Sequence, residues 1–87
     1  MPYKVLILPA PLRQLAALAP PDRKRISDKI ERLSADPRPA GLKRLHGKRE
    51  YLRLRSGDYS ITYTVDEDHL EILILKIGHR REVYRAL

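Results

Sequence analysis

The run Leu52-Arg53-Leu54-Arg55-Ser56-Gly57-Asp58-Tyr59-Ser60-Ile61-Thr62-Tyr63 constrains the fold of this chain more than any other stretch. Read at a period of two, it is a hairpin: an arginine-bearing strand, a Gly-Asp turn and an aromatic-bearing strand. Alternation puts Leu52 and Leu54 on one face of the first arm and Arg53 and Arg55 on the other. On the second arm, Tyr59, Ile61, Tyr63 and Val65 share a face, and Ser60, Thr62 and Thr64 share the opposite one. Such a hairpin must bury its apolar face against something, and it then holds its guanidinium groups on the side left over.

The rest of the chain supplies the cover. Tyr3 to Leu8 reads as a first strand ended by Pro9. Pro9-Ala10-Pro11 opens a short helix with Leu12, Leu15, Ala16 and Ala19 as its apolar stripe. Pro20-Pro21 breaks that helix, Asp22 is placed to cap a second one, and Ile26, Ile30 and Leu33 recur on its inner side at helical spacing. The charges on its other side read as a solvated face. Asp36 to Gly41 is a loop by composition. Leu42 to Glu50 carries Lys43, Arg44, His46, Lys48 and Arg49 around Gly47, the densest basic stretch, and leads directly into the hairpin. After a turn at Asp66-Glu67-Asp68-His69, whose carboxylates lack metal-ligand spacing, Leu70 to Ile77 is apolar on both faces. That marks a central strand with helices on one side and the tail, a partner or both on the other. The tail runs Gly78-His79-Arg80-Arg81-Glu82-Val83-Tyr84-Arg85-Ala86-Leu87. The expected fold is α+β, in the order β-α-α-β-β-β: an N-terminal strand, an antiparallel helical hairpin and a three-stranded antiparallel meander in one sheet, with a basic C-terminal tail, all in a single domain over residues 1–87.

Charge then narrows the partners. The chain has 18 Lys and Arg against 11 Asp and Glu, a formal net charge of +7, which favours polyanions and nucleic acid first among them. There is no cysteine, so disulfides and thiolate metal sites are excluded and a reducing, cytoplasmic setting fits. No apolar run reaches the length of about 20 residues that spans a bilayer, so no membrane partner is expected.

The hairpin followed by Gly78-His79-Arg80-Arg81-Glu82-Val83-Tyr84 resembles the RelE toxin superfamily of bacterial toxin–antitoxin modules, over nearly the whole chain. The resemblance implies a ribosome-dependent endoribonuclease that cleaves mRNA in the ribosomal A site and is neutralised by a cognate RelB-like antitoxin, the pair binding operator DNA. The implied chemistry is attack of the RNA 2′-OH on the adjacent phosphate, with no metal and no cofactor. It needs a proton acceptor, a proton donor and cations over the phosphorane. Carried over by position, Arg80 is the tail arginine proposed as general acid or phosphate stabiliser, and Tyr84 is the tail tyrosine that orients or stacks on substrate. Arg53 and Arg55 are strand cations on phosphate, and His79 adjoins Arg80. Lys43, Arg44, Lys48, Arg49, Arg81 and Arg85 would grip ribosomal RNA or flanking mRNA.

Two departures stand out. Ser60 occupies the position where RNA-cleaving relatives carry an arginine, and Arg53 stands where a lysine is usual. Arginine is effectively never deprotonated, so the base is open among His46, His79, Glu50 and Glu82. Arg55, diagonal across the hairpin, and Arg81 are candidates to replace the missing charge. Three functions therefore stay open: the nuclease, a ParE-like toxin that inhibits gyrase by binding, and a passive nucleic-acid-binding module that represses with its antitoxin.

Overall fold

A computed structural model describes residues 2–40, the backbone of 43–45, and residues 50–79. The elements are β1 (Lys4–Ile7), α1 (Pro9–Ala16), α2 (Pro20–Leu33), β2 (Lys43–Leu45), β3 (Tyr51–Ser56), β4 (Tyr59–Asp66) and β5 (Glu71–His79). They form one five-stranded sheet in the order β1-β5-β4-β3-β2, with β1 parallel to β5 and the other pairs antiparallel. The expected α+β architecture holds, with one addition. The basic segment entering the hairpin contains a strand, β2, paired to β3 with Lys43 opposite Arg53. The composition of that segment does not mark it as a strand. The basic tail from Arg80 lies outside the described residues.

The helices cover one face only. Ile26, Ile30 and Leu33 of α2 are buried against Leu52, Leu54, Ile61, Tyr63, Ile72, Ile74 and Ile77 of the sheet. Each such side chain, fully withdrawn from water, stabilises the fold by roughly 1.5–3 kcal/mol before entropy is counted. The short helix α1 meets the core through buried Pro11 and half-buried Leu15 and Leu18. The stripe read from the sequence was one position off: Leu12 is 51% exposed, and Ala16 and Ala19 face solvent. The second helix also starts earlier than Asp22. Pro20 and Pro21 form its first turn, where a missing N–H costs nothing, and Ala19 is the cap residue without a side-chain bond. Asp22 instead sits inside that turn, 3.8 Å from Arg25 Nη1.

Three local devices hold the sheet in place. The Gly57-Asp58 turn closes the hairpin with Gly57 at φ +61°, a conformation that favours glycine. Ser34, just past α2, donates its hydroxyl to the Tyr3 carbonyl at 2.7 Å and accepts the Tyr3 N–H on its own carbonyl at 2.8 Å. Asp66 accepts the His69 N–H at 3.1 Å and lies 2.9 Å from His69 Nδ1, so its carboxylate shapes the β4–β5 turn.

The pairing of β4 with β5 contains a bulge. Thr62 faces Lys76 and Tyr63 faces Ile74, which leaves Leu75 without an opposite number. The buried positions of β5 change phase there, from Ile72 and Ile74 to Ile77. A regular strand with Ile74 inward would turn Lys76 into the core and Ile77 out to solvent. Deleting Leu75 should therefore abolish cooperative folding, read as loss of the unfolding transition by circular dichroism. A retained, sharp transition would contradict the assigned bulge.

Tyr63 is fully buried, and its hydroxyl donates to the Pro37 carbonyl at 2.8 Å. Burial, helped by Asp36 and Glu50 and opposed by Arg38, pushes its phenol from 10.0 up to about 12. Between those values the unfolded chain loses the phenolic proton and the folded chain keeps it, so stability should fall as pH rises from about 10 to about 12. Tyr63→Phe should flatten that alkaline limb in denaturant titrations. At neutral pH it should cost about 1 kcal/mol through the lost hydrogen bond.

Candidate nucleic-acid interface

The face of the sheet away from the helices is built by alternation. Since Leu52 and Leu54 point inward, Arg53 and Arg55 emerge on the other side, the first half-buried and the second exposed. Pairing carries that face across the sheet: Arg53 lies opposite Thr62, and Thr62 opposite Lys76. Arg55 lies directly opposite Ser60, rather than diagonal to it, and Ser60 lies opposite Gly78. The strand carrying the arginines is anchored from below, because Lys29 of α2 donates its ammonium to the Arg55 carbonyl at 2.8 Å.

The electrostatics of this face favour an anion. The Arg53 Nε is buried and has no hydrogen-bond partner among the described residues. A buried donor left unpaired is costly, so an acceptor that reached it would be bound with a gain. Among the described residues no carboxylate pairs with Arg53, Arg55 or Lys76, whereas Arg38, Lys24 and Arg25 all have acidic partners. Arg38 is the contrasting case. Its Nε donates to Glu50 Oε1 at 2.8 Å, and its Nη2 lies 2.7 Å from Glu50 and 2.6 Å from Glu67. This bridge fixes the loop before β2 to the entry of β3 and to the β4–β5 turn. With Asp66 engaged by His69 and Glu67 by Arg38, the acidic turn is structural.

His79 falls elsewhere. It pairs with Tyr59 across the sheet, and the two rings meet edge to face at 5.3 Å between centroids. Both line a shallow cavity with Gln14, Ala17, Leu18 and Ile77, on the helix side. The structure thus brings Arg53 and Arg55 together on one face and sets His79 on the other. Arg80, Arg81, Tyr84 and Arg85, together with Lys48, Arg49 and the side chains of Lys43 and Arg44, lie outside the described residues.

Sequence reading missed Lys76 and Arg38. Lys76 is the one charge within the apolar run of residues 72–77, a signal obscured because strict alternation would have turned it inward. Arg38 stands between prolines in a segment that composition marked only as loop.

Comparison with known proteins converges on one family. Residues 9–84 match the family model described as the ParE toxin of the type II toxin–antitoxin system parDE. The putative toxin RelE1 of Methanocaldococcus jannaschii is 34% identical over 88 residues, covering 98% of each chain. The archaeal RelE–RelB complex of Pyrococcus horikoshii OT3 contains a chain that superposes with a TM-score of 0.84 at 28% identity, covering 92% of this chain and 97% of that one. In the toxin–antitoxin complex RelBE2 of Mycobacterium tuberculosis the corresponding values are 0.78 and 27%, with 92% and 100% covered. The family match over residues 9–84, a relative 34% identical over nearly the whole chain and the shared fold agree: the chain belongs to the RelE/ParE superfamily of toxins of type II toxin–antitoxin modules.

Proposed function

We propose that this toxin is a ribosome-dependent endoribonuclease that cleaves mRNA in the A site and is restrained by a RelB-like antitoxin. The observation that carries the reading is the cationic sheet face, on which Arg53 keeps a buried donor with no acceptor among the described residues, beside exposed Arg55. Single-stranded RNA offers what that face lacks: phosphate oxygens for guanidinium groups, and bases for an aromatic to stack on.

In the reaction, the 2′-oxygen attacks the adjacent phosphorus, the bond to the 5′-oxygen breaks, and a 2′,3′-cyclic phosphate remains. The 2′-hydroxyl proton passes to a base and the leaving oxygen gains one from an acid. Arg53 and Arg55 hold the phosphate and offset charge on the phosphorane. Arg80 protonates the leaving oxygen or stabilises the phosphate, and Tyr84 orients the substrate. Lys43, Arg44, Lys48, Arg49, Arg81 and Arg85 grip flanking mRNA and ribosomal RNA. His79 takes no part in proton transfer on this reading, because its ring packs against Tyr59 on the helix side.

The antitoxin reading rests on a second surface. Leu6 of β1 lies beside Leu73 of β5 on the uncovered face, and Leu6 and Leu8 are each 38% exposed. An acidic, amphipathic segment could cover these leucines and reach the arginines, occluding the site. Operator DNA binding then belongs to the complex, with base readout supplied by the antitoxin. A gyrase-inhibiting function is the second reading, favoured by the ParE description of the matching family and by Ser60, which supplies no charge.

Mapping mRNA 5′ ends after induction, with Arg80→Ala beside the wild type, separates the two. Codon-phased cleavage that disappears in the variant is expected. Growth arrest with intact mRNA and relaxed or broken DNA would instead establish the gyrase reading. In purified protein, Arg53→Met should leave stability within about 0.5 kcal/mol, since it removes no described partner. The same change should slow cleavage about 10²–10³-fold, the usual cost of losing one charge-stabilising donor.

A further inference from the structure

Lys76 stands apart from every other charge in the sheet. It interrupts the apolar run of β5, is half-buried, and has no acidic partner among the described residues. Its orientation is the work of the bulge. With Ile74 inward, regular alternation would bury Lys76; the extra residue Leu75 places it opposite Thr62 and returns Ile77 to the core. The fold thereby tolerates a lattice irregularity, with β4 and β5 losing one regular pairing, and the outcome is a lysine on the arginine face. Bulges commonly re-aim a side chain in this way beside a functional site.

Position adds to the case. Thr62 lies between Arg53 and Lys76, so the two backbones are two strand spacings apart, about 9.6 Å. Two extended cationic side chains can close such a gap over one anion. On its other side β5 has already lost β1, whose pairing stops at Ile74, and Gln14 of α1 accepts the Ile77 N–H there at 3.2 Å. The end of β5 that carries Lys76 is thus held by a side chain rather than by another strand.

The missing arginine supplies the chemical need. Ser60 is itself buried and faces Gly78, so no cation arises from that position, and Lys76 is two residue pairs along, on the neighbouring strand and the same face. We propose that Lys76 is a substrate-contacting residue: its ammonium binds the RNA phosphate opposite Arg53 and supplies the positive charge that Ser60 does not. Arg53, Arg55 and Lys76 then form a three-cation cradle spanning β3 and β5 above the small side chains of β4. This assignment rests on the RNA-directed reading of the same face.

The test uses the full chain and two measurements. The first is cleavage of mRNA on programmed ribosomes by wild type, Lys76→Met and Lys76→Arg. The second is the salt dependence of binding to a single-stranded RNA with a 2′-deoxy sugar at the cleaved position. Loss of Lys76 should slow cleavage about 10²-fold, as removal of one charge-stabilising donor does. It should also lower the slope of log affinity against log salt by about 0.7, the value for one phosphate contact on a single strand. Lys76→Arg, which keeps the charge, should restore the slope. A lysine serving only to pack the strand would shift the melting temperature and leave the slope unchanged, and that result overturns the proposal. If the methionine variant fails to fold, Lys76→Gln carries the same measurement with a polar end. Absence of cleavage by the wild type with a slope that still falls in the variant would remove the nuclease reading and uphold the phosphate contact. Equal rates and equal slopes in wild type and Lys76→Met would reject Lys76 while leaving the nuclease standing.

Discussion

Two short helices can cover only one face of a five-stranded sheet, and the rest of the structure follows from that imbalance. The inner face is closed by Ile26, Ile30 and Leu33 against the buried residues of β3, β4 and β5. Strand alternation then obliges every second residue to face away from the helices. On β3 those residues are Tyr51, Arg53 and Arg55, on β4 they include the hydroxyl side chains of Ser60, Thr62 and Thr64, and on β5 they include Glu71, Leu73 and, past the bulge, Lys76. The cationic face is therefore a geometric product of the core, and it is as rigid as the core that displays it.

That rigidity is reinforced at the places where charge is concentrated. Lys29 reaches from α2 to the Arg55 carbonyl, and Arg38 ties the loop after α2 to Glu50 and Glu67 at the other end of the hairpin. Tyr63 adds a buried hydroxyl to the same loop. Glu50 and Glu67 are thus paired with Arg38 and Asp66 with His69, and among the described residues the arginines of β3 have no acidic partner. Preorganised donors of this kind stabilise developing charge without the cost of reorienting during a reaction. A toxin that carries such a surface also needs a partner to cover it, and exposed Leu6 of β1 and Leu8 just after it give that partner an apolar footing.

Much of this was legible from local pattern. Alternation in the hairpin placed Leu52, Leu54, Arg53 and Arg55 on their observed faces, and Ile26, Ile30 and Leu33 identified the buried side of α2. What escaped were features decided by pairing partners distant in sequence. β2 exists because β3 offers an edge; its own three residues carry little strand signal. The bulge at Leu75 is set by the register against Thr62 and Tyr63, and it reverses the face of Lys76. The stripe of α1 slipped because Pro11, which looked like a helix opener, is also a core residue. His79 was grouped with the tail arginines by adjacency, whereas its ring is fixed by Tyr59 across the sheet.

The central claim is that the uncovered face of the sheet binds RNA. At 87 residues the chain suits amide-resolved nuclear magnetic resonance, titrated with a short single-stranded RNA made uncleavable by a 2′-deoxy sugar. Shifts concentrated at Arg53, Arg55, Thr62 and Lys76, with Ile26, Ile30 and His79 unmoved, are the predicted result. Shifts confined to the helix face, or none at RNA concentrations that saturate other single-strand binders, would contradict it.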